Sequence, residues 1–200
     1  MPNLASLIAA EYAFADAAPR LGVRDAFLAF LADDAILFRP RPVRGRDWFQ
    51  ARPPRPGLLT WYPCFARLSR AGDLGLSTGP WEFRPNSLDE EPIAHGYFTS
   101  MWRAQADGGW KVEIDCGIGC PAPAGPIAPL RPDGAPSGAI ESAADAAVVV
   151  DLDRVCAELP AVDRDFAQAA RIDLVAAYDR AIIGDEGRVY RDDARPFVGR

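Results

Sequence analysis

The chain has 200 residues, 49% of them hydrophobic and 25% charged, with a formal net charge of −6. It is long enough for one good core and part of a second, and no stretch approaches the ~20 apolar residues of a membrane span. The N-terminus, MPNLASLIAAEYAF, lacks a basic start and soon meets Glu11, so neither a spanning helix nor a secretory signal is expected; we read the location as cytoplasmic, with no membrane partner.

The charge is uneven: residues 1–120 hold 13 Lys and Arg against 14 Asp and Glu, and residues 121–200 hold 9 against 14. That balance argues against a nucleic acid as partner. Arg39, Arg41, Arg44, Arg46, Arg52 and Arg55 crowd one segment. With 21 Arg and a single Lys in the chain, we read that segment as a solvated face rather than an anion site. Of the four cysteines only Cys116 and Cys120 are close. In one extended strand they would be roughly 13 Å apart, beyond disulfide range, so reduced thiols, no metal and no cofactor are expected.

In chain order, Leu4, Leu7, Ile8, Phe14, Ala15 and Ala18 predict an amphipathic helix over residues 3–18, ending near Pro19 and Gly22. Val23, Ala26, Phe27, Phe30 and Leu31 predict a second helix that stops at Asp33 and Asp34. A short strand follows at Ile36–Phe38, then a helical turn at Trp48–Arg52 closed by Pro53 and Pro54. Four antiparallel strands are expected over residues 58–68, 74–84, 93–105 and 110–118. The first has no clear inward or outward alternation, which suggests a sheet covered on both faces.

Asp107-Gly108 is a strong hairpin signal. A two-residue turn there sets Gln105 opposite Trp110, Arg103 opposite Val112, Met101 opposite Ile114 and Thr99 opposite Cys116. By alternation, Trp110, Val112 and Ile114 share a face with Met101, Thr99, Tyr97 and His95, expected to be the core. Lys111, Glu113 and Asp115 share the other with Trp102, Ser100 and Phe98. A bulge in the turn would reverse the assignment. With Trp102 and Phe98 outward, a homodimer through the sheet face is expected.

Residues 123–141, opening a run of prolines, read as a linker. Beyond it, DRDFAQAA (163–170) repeats the Phe and the Ala pair of EYAFADAA (11–18), and AAYDRAIIGDEGRVYRDDARPFVGR tracks DAFLAFLADDAILFRPRPVRGR with a few added residues. We therefore expect residues 142–200 to be an incomplete, mainly helical second repeat, stopping before the sheet that should follow.

The element order of residues 1–122, together with LADDAILFRP followed by GR, STGPWEFRP, and HGYFTSMWRAQADGGWKVEIDCGIGCPAP, resembles the nuclear transport factor 2-like superfamily, in particular its uncharacterised SnoaL-like bacterial members. The resemblance implies an α+β, cone-shaped fold of helices on a curved antiparallel sheet. That cone hosts isomerases, dehydratases, polyketide cyclases, ligand-binding proteins and oligomerisation modules, so it does not choose among them. The leading expectation is a cavity binding a small apolar or weakly anionic molecule, lined by Phe14, Phe27, Phe38, Trp61, Trp81, Thr99 and Trp110. The alternatives are an isomerase, cyclase or dehydratase, or a dimerisation module. An enzyme would use His95 as general acid or base, with Tyr97 and with Glu11, which lies in the apolar stripe of the first helix. The plainer readings are a structural histidine, a surface or backbone-bonded glutamate, and aromatics that simply fill a core.

Overall fold

The computed structural model describes residues 2–134, 151–182, 184 and 187–199. The chain divides into two compact units, Met1–Glu141 with Arg191–Arg195, and Ser142–Tyr190 with Pro196–Arg200.

In the first unit, α1 (Leu4–Leu21) opens on a capping box: the Asn3 side chain accepts from the Ser6 amide, and the Ser6 hydroxyl accepts from the Asn3 amide. It runs through Pro19 to Gly22, whose φ of 82° suits glycine. Then come α2 (Val23–Phe30), β1 (Leu31–Phe38), β2 (Pro42–Arg44), α3 (Gly45–Gln50), β3 (Leu58–Trp61), β4 (Phe65–Leu68), β5 (Leu74–Arg84), β6 (Ala94–Ala104) and β7 (Trp110–Gly119). The strands form one mixed sheet in the order β2-β1-β7-β6-β5-β3, with β4 also on β5. β1 runs parallel to β7, so the sheet is not wholly antiparallel.

The strand expected over residues 58–68 is two, broken at Tyr62–Cys64 around Pro63, and both pieces pair with β5. The break is why that segment shows no single alternation. Leu7, Ile8, Phe14 and Ala18 from α1 and Phe27 from α2 meet Leu31, Leu37, Trp102 and Val112 in the core.

The β6–β7 hairpin corrects the expected facing. Beyond Met101 the pairing is as expected, with Met101 opposite Ile114 and Thr99 opposite Cys116; nearer the turn it is one residue off, with Trp102 opposite Val112 and Ala104 opposite Trp110. Gln105 and Gly109 close the turn, with Gly108 at φ 85°, and the surplus residue on β7 is Glu113. This bulge keeps Trp110 and Val112 on the same side as Asp115. The inner face is therefore Phe98, Ser100, Trp102 and Asp115, all buried, and His95, Tyr97, Thr99 and Met101 are on the outer one. Trp102 and Phe98, whose exposure was the ground for expecting a dimer, lie inside the chain, and that ground falls.

The proline-rich segment is not a free linker where it is described. Cys120 donates its amide to the His95 carbonyl, the Tyr62 hydroxyl donates to the Ile127 carbonyl (3.1 Å), and Leu130 donates its amide to Pro63 (2.7 Å) while packing on the core.

The second unit contains α4 (Leu152–Ile172) and α5 (Leu174–Ala181). Both are capped by aspartate side chains, Asp151 and Asp173. A two-stranded ribbon joins β8 (Arg188–Arg191) to β9 (Ala194–Val198). Phe166 and Tyr178 meet edge to face at 5.3 Å and 72°. Residues 135–141 of the expected linker and 142–150 of the expected second repeat lie outside the described residues.

Candidate functional site

A cavity of about 310 Å³ opens into the first unit between α1, α2 and the inner sheet face. Phe14 and Phe27 reach it from the helices. Trp61, Trp81 and Phe98 reach it from β3, β5 and β6 because each falls on an inward position of its strand. Trp81 can lie flat there because its partner is Gly96: a Cβ on Gly96 would stand 2.3 Å from the indole and 1.9 Å from the Ile118 carbonyl oxygen.

The polar end of the cavity is Asp115, with Ser100 and Arg39. The Ser100 hydroxyl donates to Asp115 Oδ2 at 3.0 Å, and Arg39 Nη2 lies 3.7 Å from Oδ1. Burial pushes the Asp115 carboxyl above the ordinary aspartate range, with Arg39 and then Ser100 pulling the other way. The arginine-rich segment is thus not uniformly a solvated face, since Arg39 turns inward at the end of β1.

Glu11 sits behind this cavity, fully buried on the inner stripe of α1. Trp61 Nε1 donates to its Oε1 at 2.7 Å; Trp102 Nε1 (2.9 Å) and the Ser77 hydroxyl donate to Oε2. Desolvation raises its pKa to about 7 against the pull of these donors, led by Ser77, and Asp115 adds a little upward push. Its plainer expectations, a surface residue or a partner of backbone amides, are replaced by three side-chain donors.

Four of the expected lining residues, Phe14, Phe27, Trp61 and Trp81, do border the cavity. Phe38 points the other way from its buried neighbour Leu37 and is exposed. Trp110 is buried elsewhere, donating Nε1 to the Ser6 hydroxyl at 3.0 Å. Thr99 lies on the outer face, its hydroxyl 3.3 Å from that of Thr78. His95 and Tyr97 share that outer face, so the expected cluster of His95, Tyr97 and Glu11 does not form. Register put His95 and Tyr97 together correctly, and the bulge decided which side they took. Arg39, Ser100 and Asp115 were missed as a group. Strand pairing alone sets Asp115 opposite Ser100, and only the choice of inner face hid its importance.

None of the four cysteines, all among the described residues, is in a disulfide. Among the described residues no three His, Cys, Asp or Glu side chains gather to hold a metal ion, and no helix is long and apolar enough to cross a membrane.

No protein-family model matches the chain, and no curated protein matches it by sequence. Solved structures do match. A ketosteroid isomerase-like protein from Erwinia carotovora atroseptica aligns at 16% identity and TM-score 0.41, covering 56% of this chain and 95% of that one. An NTF2-like protein from Cytophaga hutchinsonii aligns at 14% and 0.42 (58% and 98%). An NTF2-like protein with a cystatin-like fold from Novosphingobium aromaticivorans aligns at 10% and 0.45 (60% and 82%). By its own element order and curved mixed sheet, the first unit has the nuclear transport factor 2-like, cystatin-like fold.

Proposed function

We propose that the first unit binds a small, mainly apolar, uncharged molecule in the cone cavity, held at its polar end by Asp115. The observation that carries this is a buried carboxylate opening onto a mainly apolar cavity rich in aromatic side chains, with Arg39 offsetting its charge. At about 30 Å³ for each water-sized group, 310 Å³ suits on the order of ten non-hydrogen atoms, a single substituted ring. Ser100 and Arg39 orient Asp115 so that it can accept a hydrogen bond from a ligand hydroxyl.

A second reading rests on the same carboxylate. Its raised pKa makes it a candidate proton donor or acceptor, so an isomerase or dehydratase would use Asp115 in the cone and not the expected His95–Glu11 pair. We also infer a partial internal repeat in the second unit. The edge-to-face pair Phe166–Tyr178 matches Phe14–Phe27 (4.9 Å, 75°) at the aligned positions, and both pairs lie on consecutive helices followed by a hairpin.

Native mass spectrometry of freshly purified protein tests the binding reading. A retained small molecule is expected in the parent chain and at least tenfold less of it in Asp115→Asn. Equal retention by the two would refute Asp115 as anchor, and turnover of the released compound by the parent alone would favour the enzyme.

A further inference from the structure

A second cavity, of about 540 Å³, lies outside the cone. Thr60, Glu82 and His95 are register neighbours across β3, β5 and β6, on the face opposite Trp61 and Trp81, and Arg84 lies two residues from Glu82 on the same side. These four line the cavity together with the strap that runs from Ala122 to Ile127, notably Pro123 and Pro126, and with Trp61 and Trp81, which border the cone cavity as well. The strap is tied at both ends, by Cys120 to the His95 carbonyl and by Ile127 to the Tyr62 hydroxyl. The prolines supply apolar wall and the strands supply hydrogen-bonding groups.

Those groups are arranged in a chain. Arg84 Nη2 holds Glu82 Oε2 at 2.6 Å, while Arg84 Nε and Nη1 are fixed on the Glu90 carbonyl and the Thr60 hydroxyl. The other carboxylate oxygen, Oε1, faces His95 Nδ1 at 3.9 Å. Nδ1 is buried without a hydrogen-bond partner. An orphaned buried nitrogen is costly, and a movement of about 1 Å would bring it to hydrogen-bond distance of Oε1. An imidazole that donates Nδ1–H to a carboxylate presents Nε2 as an acceptor. Arg84 already neutralises Glu82, so the site offers hydrogen bonds and apolar wall, not net charge.

We propose that this cleft is a second small-molecule site, adjoining the cone cavity across Trp61 and Trp81, which takes an uncharged, hydroxyl-bearing ring compound whose hydroxyl donates to His95 Nε2. Glu82 and Arg84 are positioning residues: they set the tautomer of His95 and touch the ligand only through it. Ring carbons of the ligand pack on Pro123 and Pro126.

His95 is the only histidine in the chain, so its imidazole resonances are unambiguous in nitrogen-15 NMR spectra. Phenol and its methyl ether anisole, which has no hydroxyl to donate, are titrated into the full chain. Phenol is expected to shift the Nε2 resonance saturably, with anisole at least tenfold weaker. Glu82→Gln is expected to lower the fraction of Nδ1–H tautomer and weaken phenol at least tenfold. Its melting temperature, read in parallel, should stay within a few degrees of the parent's. Arg84→Lys, a second variant, should move tautomer and affinity in the same direction. A silent His95, an equal response to phenol and anisole, or unaltered tautomer and affinity in both variants would overturn the proposal. A phenol response that disappears in Asp115→Asn would place the probe in the cone and overturn the second site.

Discussion

Glu11 shows what one side chain carries in this fold. Its carboxyl titrates near 7 in the folded chain against 4.5 as its ordinary value, so between those pH values the native state holds a proton that the unfolded chain has released. Stability contributed by the protonated form is therefore fully present below about pH 4.5 and is lost as pH rises through about 7. Asp115, also raised, acts in the same direction. At about 1.4 kcal/mol per pKa unit, the Glu11 effect is on the order of 3 kcal/mol. Urea midpoints measured from pH 5 to pH 8 should fall across that window, and in Glu11→Gln the fall should shrink by more than half. An unchanged slope in the variant would assign the effect to another group. The helix spacing of the sequence placed Glu11 inward, but its three donors come from β3, β5 and β6, at 50 to 91 residues' separation. No local pattern announces them.

At the scale of elements, the β6–β7 hairpin governs the site. The alternation of Trp110, Val112 and Ile114 is a genuine apolar stripe, yet the bulge at Glu113 ends it midway and hands the inner position to Asp115. A bulge has no dependable local signature here, because both alternatives leave the hairpin paired and only packing against α1 separates them. Strand β5 faces a tighter constraint through its neighbour: Gly96 admits no side chain beside Trp81 and Ile118, whereas a Cβ on Gly117 would have its nearest neighbours at 3.7 Å. Gly96→Ala should therefore lose roughly 2–4 kcal/mol and displace Trp81 from the cavity wall, while Gly117→Ala should melt within a few degrees of the parent. Denaturant titration with indole fluorescence reads both. Similar stability of the two variants would contradict the close packing of Trp81 on β6.

On the scale of the molecule, the first unit includes the proline-rich segment as far as it is described. A chain cut after Asp133 keeps Ile127 on Tyr62 and Leu130 on Pro63, and should melt cooperatively. A chain cut after Ala124 loses both contacts and the burial of Leu130, about 2 kcal/mol, and should melt several degrees lower in calorimetry. Equal melting of the two would return the segment to the status of a linker.

The sequence by itself determined the two amphipathic helices, the hairpin at Asp107-Gly108, the inward turn of Glu11 and the pairing of Asp115 with Ser100, because each follows from periodicity within one segment or from pairing across one turn. Tertiary structure alone decided which face of the hairpin meets α1, and with it that Asp115 enters the cone while His95 stays outside. It also decided that Arg39 leaves its basic neighbours for a buried carboxylate, and that the proline-rich segment is tied back to Tyr62 and Pro63. The physical reason is common to all of these: a strand offers two faces and a loop many courses of similar local energy, and burial against distant segments selects one.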